Sequence, residues 1–428
     1  MRSSSKTRSM RIHATRIVVC LLACIAPEAA AHAQTPPVIS ATTTVEGSKA
    51  DEALLRLITD NPLSLNNSVE FYQALLLVIT REASSFPIGS SSGGFTYAFD
   101  PNLGLPVRRT RSFGPMFADR PLTSGRHKLS VSLSLQQTSW RALGGVDLKR
   151  GLTASDAYLA SETASGRPES DYSLTRITFR TTRQVLNVTY GFSDRIDIGL
   201  IVPYGQALVS GDTTYTRTDM TTGEQVGGFE HAYSGTSSGL GDGDARIKIE
   251  FLRRPSVDLA LGLDWKGRPP GGRRANHILG TAVTQGRAAL IGAFPHGDVA
   301  PHFSVGYTLV PWWYRGLTLN GQTGGIVTES NEVNYTVGLD AALTGSVTVS
   351  GDVIGRTLLH SYTFGPRVGP FASEIVMNRG RVNVLLGAAG AKVLVKGNWL
   401  LNLSVAFPLN TAVLRPGITP VIGIERTF

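Results

Sequence analysis

From His127 onward apolar and polar residues alternate, and the alternation persists to Phe428. Leu129, Val131, Leu133 and Leu135 are interleaved with Ser130, Ser132, Ser134 and Gln136, a period of two that puts one apolar and one polar face on a strand. The same pattern predicts further strands over residues 172–190, 194–209, 244–253, 256–266, 282–294, 299–311, 332–343, 346–358, 380–395, 399–408 and 416–428. Twelve strands result.

The predicted connections alternate in length. Long ones (141–171, 210–243, 267–281, 312–331, 359–379) are separated by tight ones at Gly191-Phe192-Ser193, Arg254-Pro255, Pro295 to Asp298, Gly345 and Lys396-Gly397-Asn398. An even-stranded barrel in a bilayer has this asymmetry, with long loops outside and short turns on the periplasmic side, whereas a soluble sandwich has no reason for it. Beyond residue 33 no apolar run nears the roughly 20 residues of a spanning helix. The longest, Ala74 to Ile79, falls well short. Backbone groups in lipid must then pair between strands. The expected fold is all-β: a transmembrane antiparallel up-and-down β-barrel of about twelve strands, preceded by a short helical segment.

In such a barrel the apolar face meets lipid and the polar face lines the lumen. Charges at the bilayer midplane would cost about 2–4 kcal/mol for each Arg or Lys on the lipid face. Arg246, Lys248 and Glu250, which alternate with Ile247, Ile249 and Phe251, are therefore expected inside, as are Asp258, Asp264 and Lys266 opposite Leu259, Leu261, Leu263 and Trp265. The tryptophans fall near strand ends: Trp140, Trp265, Trp312 and Trp313 at predicted outer ends and Trp399 at an inner one, with Tyr314 and Phe294 extending the interfacial girdles.

Before the strands, residues 1–33 read as a cleavable signal peptide: Arg2, Lys6, Arg8, Arg11 and Arg16 precede the apolar run Ile17 to Ala26, and Ala31-His32-Ala33 offers a small-x-small cleavage site. A lipoprotein box at Leu21-Leu22-Ala23-Cys24 is the competing reading. Residues 34–121 form a leader with two short helices. Ser48 with Asp51 and Asn67 with Glu70 are candidate helix starts, leading into Leu54-Leu55-Leu57-Ile58 and into Phe71, Leu75, Val78 and Ile79. An interior plug and a periplasmic cap are equally compatible with them. Only Phe95-Thr96-Tyr97 suggests a strand within residues 87–121. Residues 122–428 are the barrel.

Composition agrees. The charged fraction is 17% against roughly 25% in soluble domains, and there are 47 glycines. Cleavage would remove both cysteines, Cys20 and Cys24, leaving no disulfide or thiolate site. It would also leave 36 basic and 31 acidic residues, a net charge of +5 too mild to argue for nucleic acid.

No motif brings catalytic or metal chemistry. Gly239 to Asp244 is an acidic glycine cluster, but it lacks the spaced ligands and distal glutamate of a calcium loop and reads better as a turn. His127, His231, His277, His296, His302 and His360 contain no His-x-x-x-His pair. His302 is expected to point into the lumen, where a hydrolase would require an aligned serine or acid. No catalytic residue, cofactor or metal is expected, and no substrate-binding residue is assigned.

Two resemblances add to this. The final strand, with Ile418, Ile422, Ile424 and Phe428 on one face and Thr419, Val421, Gly423, Glu425 and Thr427 on the other, resembles the C-terminal signal read by the outer-membrane barrel assembly machinery, with Pro420 and Arg426 as departures. Tyr190 to Gly199, Val202-Pro203-Tyr204 and Gly239 to Asp242 resemble the outer-membrane proteins associated with the meta-pathway of phenol degradation and, more distantly, hydrophobic-compound transporters. The likeness spans about residues 185–428. It implies a barrel in the outer membrane of a Gram-negative cell, among outer-membrane lipids, that passes small molecules, aromatic or lipid-like ones among them. The alternative is a non-transporting structural or surface-binding barrel.

Overall fold

The computed structural model describes residues 39–40, 49–59, 69–85, 93–100, 102–163, 165–267, 278–281, 283–310, 330–368, 373–411 and 413–428, with the short pieces 314–315, 317–319, 322–323 and 327–328. The expected signal peptide, Ser48 and Asn67 lie outside them.

Twelve strands form the wall: β1 (Leu129–Leu143), β2 (Glu169–Gly191), β3 (Ile196–Asp219), β4 (Gly243–Arg254), β5 (Val257–Gly267), β6 (Gln285–Ala293), β7 (Val299–Leu309), β8 (Glu332–Ala342), β9 (Val347–Val368), β10 (Ser373–Lys396), β11 (Trp399–Pro408) and β12 (Thr419–Thr427). Each pairs antiparallel with its sequence neighbours. The sheet closes where β12 meets β1, with Ile424 opposite Leu133 and Ile422 opposite Leu135. Closure leaves none of the twelve wall strands at the edge of the ring, which is what a sheet in lipid requires.

The alternation reads out as expected. Leu133, Leu261 and Ile424 are 50%, 38% and 46% exposed on the outside, while Ser130, Gln136, Lys248, Glu250 and Glu425 are buried within. This is the inverse of a soluble core, and it defines a transmembrane barrel. On the outer face Arg426 lies between two aromatic rings, 5.0 Å from the Trp399 centroid and 4.4 Å from that of Phe428. Cation–π contact at the short-turn rim offsets the departure from an all-apolar face.

Three expectations are corrected. Trp140 is no girdle residue: it shares the parity of Ser130 and Gln136, so it faces the lumen, 4% exposed, stacked 5.8 Å from Phe179 with its Nε1 donating to Thr181 Oγ1 at 3.2 Å. Trp265 and Trp399 do lie on the outer face, while Trp312, Trp313 and the side chain of Tyr314 lie outside the described residues. Second, much of residues 210–243 and 359–379 is strand rather than loop. β3 runs on to Asp219 and returns as Gln225–Leu240, and β9 and β10 reach 22 and 24 residues, about twice what a bilayer crossing needs. Sequences such as Thr213-Thr214-Tyr215-Thr216 lack an apolar face, but a ladder standing in water needs none, and β-branched residues suit it. Third, the leader's strand is Tyr97–Asp100, paired with Leu105–Arg108 in a hairpin.

The leader's helices are α1 (Lys49–Thr59) and α2 (Val69–Ser84). In α1, Ala50, Ala53, Leu54, Leu57 and Ile58 recur at helical spacing on one buried stripe, while Glu52 and Arg56 pair at 3.1 Å on the exposed side. In α2 even Thr80, Arg81 and Glu82 are buried, as in a helix surrounded by protein.

Candidate functional site: a chamber in a filled lumen

The inward side chains of the wall grip the leader along its length. At the long-loop end, Thr213 Oγ1 donates to the Leu57 carbonyl at 3.1 Å, and Phe71 of α2 meets Phe364 of β9 edge-on at 5.4 Å. Trp140, Phe179, Tyr362, Val384 and Leu386 join the helices in one apolar cluster.

Toward the short turns, residues 93–125 replace apolar packing with charge-assisted bonds. Lys248 Nζ donates to the Leu122 carbonyl at 2.7 Å and Lys392 Nζ to the Phe113 carbonyl at 3.2 Å. Arg109 reaches Glu250 at 2.8 Å and Asp258 at 3.2 Å. The Ser124 amide donates to Asp197 at 3.0 Å, and the Gly94 amide to Glu425. Lys248, Glu250 and Asp258, expected in the lumen, are there, and they hold protein rather than line open water. Each buried charge is paired or hydrogen-bonded, as its desolvation demands.

His302 also faces inward. Its Nε2 lies 2.7 Å from Asp352 and its Nδ1 3.2 Å from Asp340. Gly338, the cross-strand partner of both His302 and Asp352, makes this possible: a Cβ there would sit 2.3 Å from the Asp352 carboxylate and 2.5 Å from His302 Nε2. With a carboxylate on each ring nitrogen and 2% exposure, the imidazole has no free position from which to take a nucleophile's proton. Ser112 Oγ donates to Asp340, tying the leader to the same cluster. Of the glycine-rich acidic turn, Asp242 accepts from the Thr281 amide at 2.8 Å and hydroxyl at 2.9 Å, a loop clamp.

Between the end of α2, at Glu82, Ser84 and Ser85, and the segment bearing Phe117 and Asp119 lies a chamber of about 250 Å³. One side is charged, from Asp244 and Arg246 on β4, Asp264 and Lys266 on β5, and Arg287 on β6; the other is mixed, with Trp140, Ile354, Val384 and Leu386 beside Arg356 and Glu332. The charges form a checkerboard, Asp244 opposite Lys266 and Arg246 opposite Asp264 across one ladder, with Arg287 reaching Asp264 at 3.0 Å. Two leader carboxylates flank the chamber and fasten it to the wall: Asp119 to Arg246 at 2.9 Å, and Glu82 to Arg356, which also stands 3.6 Å from Glu332.

The sequence supplied Arg246, Asp264 and Lys266 but not Arg356, Glu82 or Asp119, and not the grips at Asp197, Lys392 and Glu425. The wall residues among these carry the lumen parity, so the same alternation rule marks them. The leader residues carry no such signal.

No family model matches the chain, and no curated protein matches it. Among solved structures it is similar to an outer membrane channel from Pseudomonas putida F1, at 11% identity and a TM-score of 0.42, over 72% of this chain and 97% of that one. It is similar to a FadL homologue from Pseudomonas aeruginosa, at 10% identity and TM-score 0.31, over 72% and 92%. It is likewise similar to the outer membrane protease OmpT from Escherichia coli, at 12% identity and TM-score 0.25, over 70% and 97%. The descriptions name a channel, a FadL homologue and a protease, so these likenesses do not choose a function. The wall itself defines the class: a closed, twelve-stranded transmembrane β-barrel with an occupied lumen.

Proposed function

We propose that this barrel is an outer-membrane channel for small molecules that combine a polar head with a hydrocarbon body, and that residues 49–125 are its plug. The observation that carries this reading is the chamber in the lumen, where paired charges and the apolar side chains Trp140, Ile354, Val384 and Leu386 line one space. A hydrocarbon body is matched by Trp140, Val384 and Leu386, and a polar head by Lys266 or Arg287. Beside the chamber the leader is held by the ion pairs of Asp119 with Arg246 and Glu82 with Arg356, so their release would loosen it there. Export through a cleaved signal peptide, recognition of β12 by the assembly machinery, and the aromatic or lipid-like character of the solute belong to the same proposal.

The test is conductance in planar bilayers for the full chain and for a chain lacking residues 48–121. A larger conductance after deletion supports the plug; a loss of conductance on deletion counts against it. The densely filled lumen also favours a second reading, a non-transporting surface barrel. Silence of both chains, with folding verified by heat-modifiable migration, would select it.

A further inference from the structure

The outer face carries a cation cluster that the lumen chemistry does not use. Arg141 stands outward at the long-loop end of β1 and Arg180 outward on β2, both exposed. Arg180 is paired with Ser139, so Arg141 is its diagonal neighbour. The Leu148 amide donates to the Arg141 carbonyl at 2.9 Å, bringing the turn that bears exposed Lys149 and Arg150 alongside. A Cβ on Gly417 would lie 3.1 Å from Arg141 Nε, so this glycine leaves room for the guanidinium.

Asp147 interacts electrostatically with Arg150 and Arg141 while accepting from the Lys149 and Arg150 amides at 2.9 and 3.0 Å, and Asp212 is engaged by Arg176 at 2.9 Å, so the one Asp147 carboxylate faces an excess of positive charge. None of Arg141, Lys149, Arg150 and Arg180 has an ion-pair partner among the described residues. Like charges at diagonal positions on a sheet repel, and they persist most readily where an outside anion sits between them.

Toward the short turns the surface changes in two steps. Gln137 and Ser139 on β1, with Thr182 and Gln184 on β2, are uncharged hydrogen-bonding groups; beyond them Leu133, Leu135 and Leu186 are exposed and apolar. Read from the membrane outward, the sequence is hydrocarbon, neutral polar, cationic. We infer that the outer face of β1 and β2 binds one phosphorylated, multiply acylated glycolipid of the leaflet on the long-loop side, with acyl chains on the leucines, sugar on the glutamines, and phosphate on Arg141, Arg180, Lys149 and Arg150. The inference rests on the transmembrane reading of the barrel and not on its being a channel.

The test uses the full chain purified in neutral detergent, with retention measured by native mass spectrometry and folding by heat-modifiable migration. The probes are a diphosphorylated hexa-acyl glucosamine disaccharide, the same lipid dephosphorylated, and inorganic phosphate. The phosphorylated lipid should be retained, and the dephosphorylated lipid should be lost. Inorganic phosphate at millimolar concentration should not displace it. Arg141→Ala and Arg180→Ala should each weaken retention by about fivefold, the effect expected of one cation at an anionic surface, and more weakly at high salt. Arg150→Ala, in a loop outside the wall, repeats the test if a strand variant fails to fold. Equal retention of both lipids, displacement by free phosphate, or wild-type binding by Arg150→Ala together with Arg180→Ala would overturn the site. Phosphate-dependent retention by a chain without conductance would sink the channel reading and leave the glycolipid site standing.

Discussion

At the scale of single residues, parity governs cost. His302 is held by Asp340 and Asp352 in a cluster closed to water, and removing the ring would leave two carboxylates facing each other. His302→Ala should therefore lower stability by about 3–5 kcal/mol, read as a reduced urea midpoint in lipid vesicles, because breaking a buried pair strands its partner. Gly338→Leu should disturb the same contact from the opposite side. Neither should alter hydrolysis of ester or lipid substrates; abolition of such an activity by His302→Ala would contradict the structural role. Lipid-facing and lumen-facing positions should also separate cleanly. Leu261→Arg should cost about 2–4 kcal/mol in the same unfolding measurement. Thr336→Arg, which enters the chamber, should change conductance more than stability.

Elements add what residues cannot. The long strands β2, β3, β9 and β10 stand beyond the bilayer as a wall of hairpins, and Gly223 occupies a turn at one tip with a φ of 75°. An epitope inserted between Thr222 and Gly223 should leave the barrel heat-modifiable and be reached by antibody on intact cells; a loss of the folded form would show that the hairpin supports the wall. Inside, the ion pairs around the chamber add to the apolar packing of α1 and α2 and to the grips on residues 102–125. Asp119→Asn leaves Arg246 its second partner, Asp264, and Glu82→Gln leaves Arg356 beside Glu332. Each should raise the fraction of time the pore is open, and the double variant should raise it most. An unchanged open fraction in the double variant would mean that the apolar packing of α1 and α2, rather than these pairs, holds the plug.

For the whole molecule, heat-modifiable migration together with outer-membrane fractionation is the coarsest check. An unshifted, soluble chain would reverse the reading of which face is wet. Much of the fold was legible in advance. Twelve strands, their order and their inward charges all follow from a period of two, since one strand of such a barrel presents its full pattern locally. Trp140 was misread because its nearness to a strand end was weighed above its parity with Gln136. The hairpin wall was missed because a ladder in water has no apolar stripe to announce it.

What the chain's sequence determined by itself is the wall, because lipid and lumen impose opposite demands on alternate side chains and each demand is met within a few residues. What only the tertiary structure decided is the interior. Asp119 meets Arg246 across 127 positions of chain and Glu82 meets Arg356 across 274, and no local pattern encodes which charge a threaded segment will reach. Packing of the leader against the inward faces sets those pairs, and with them the chamber they enclose.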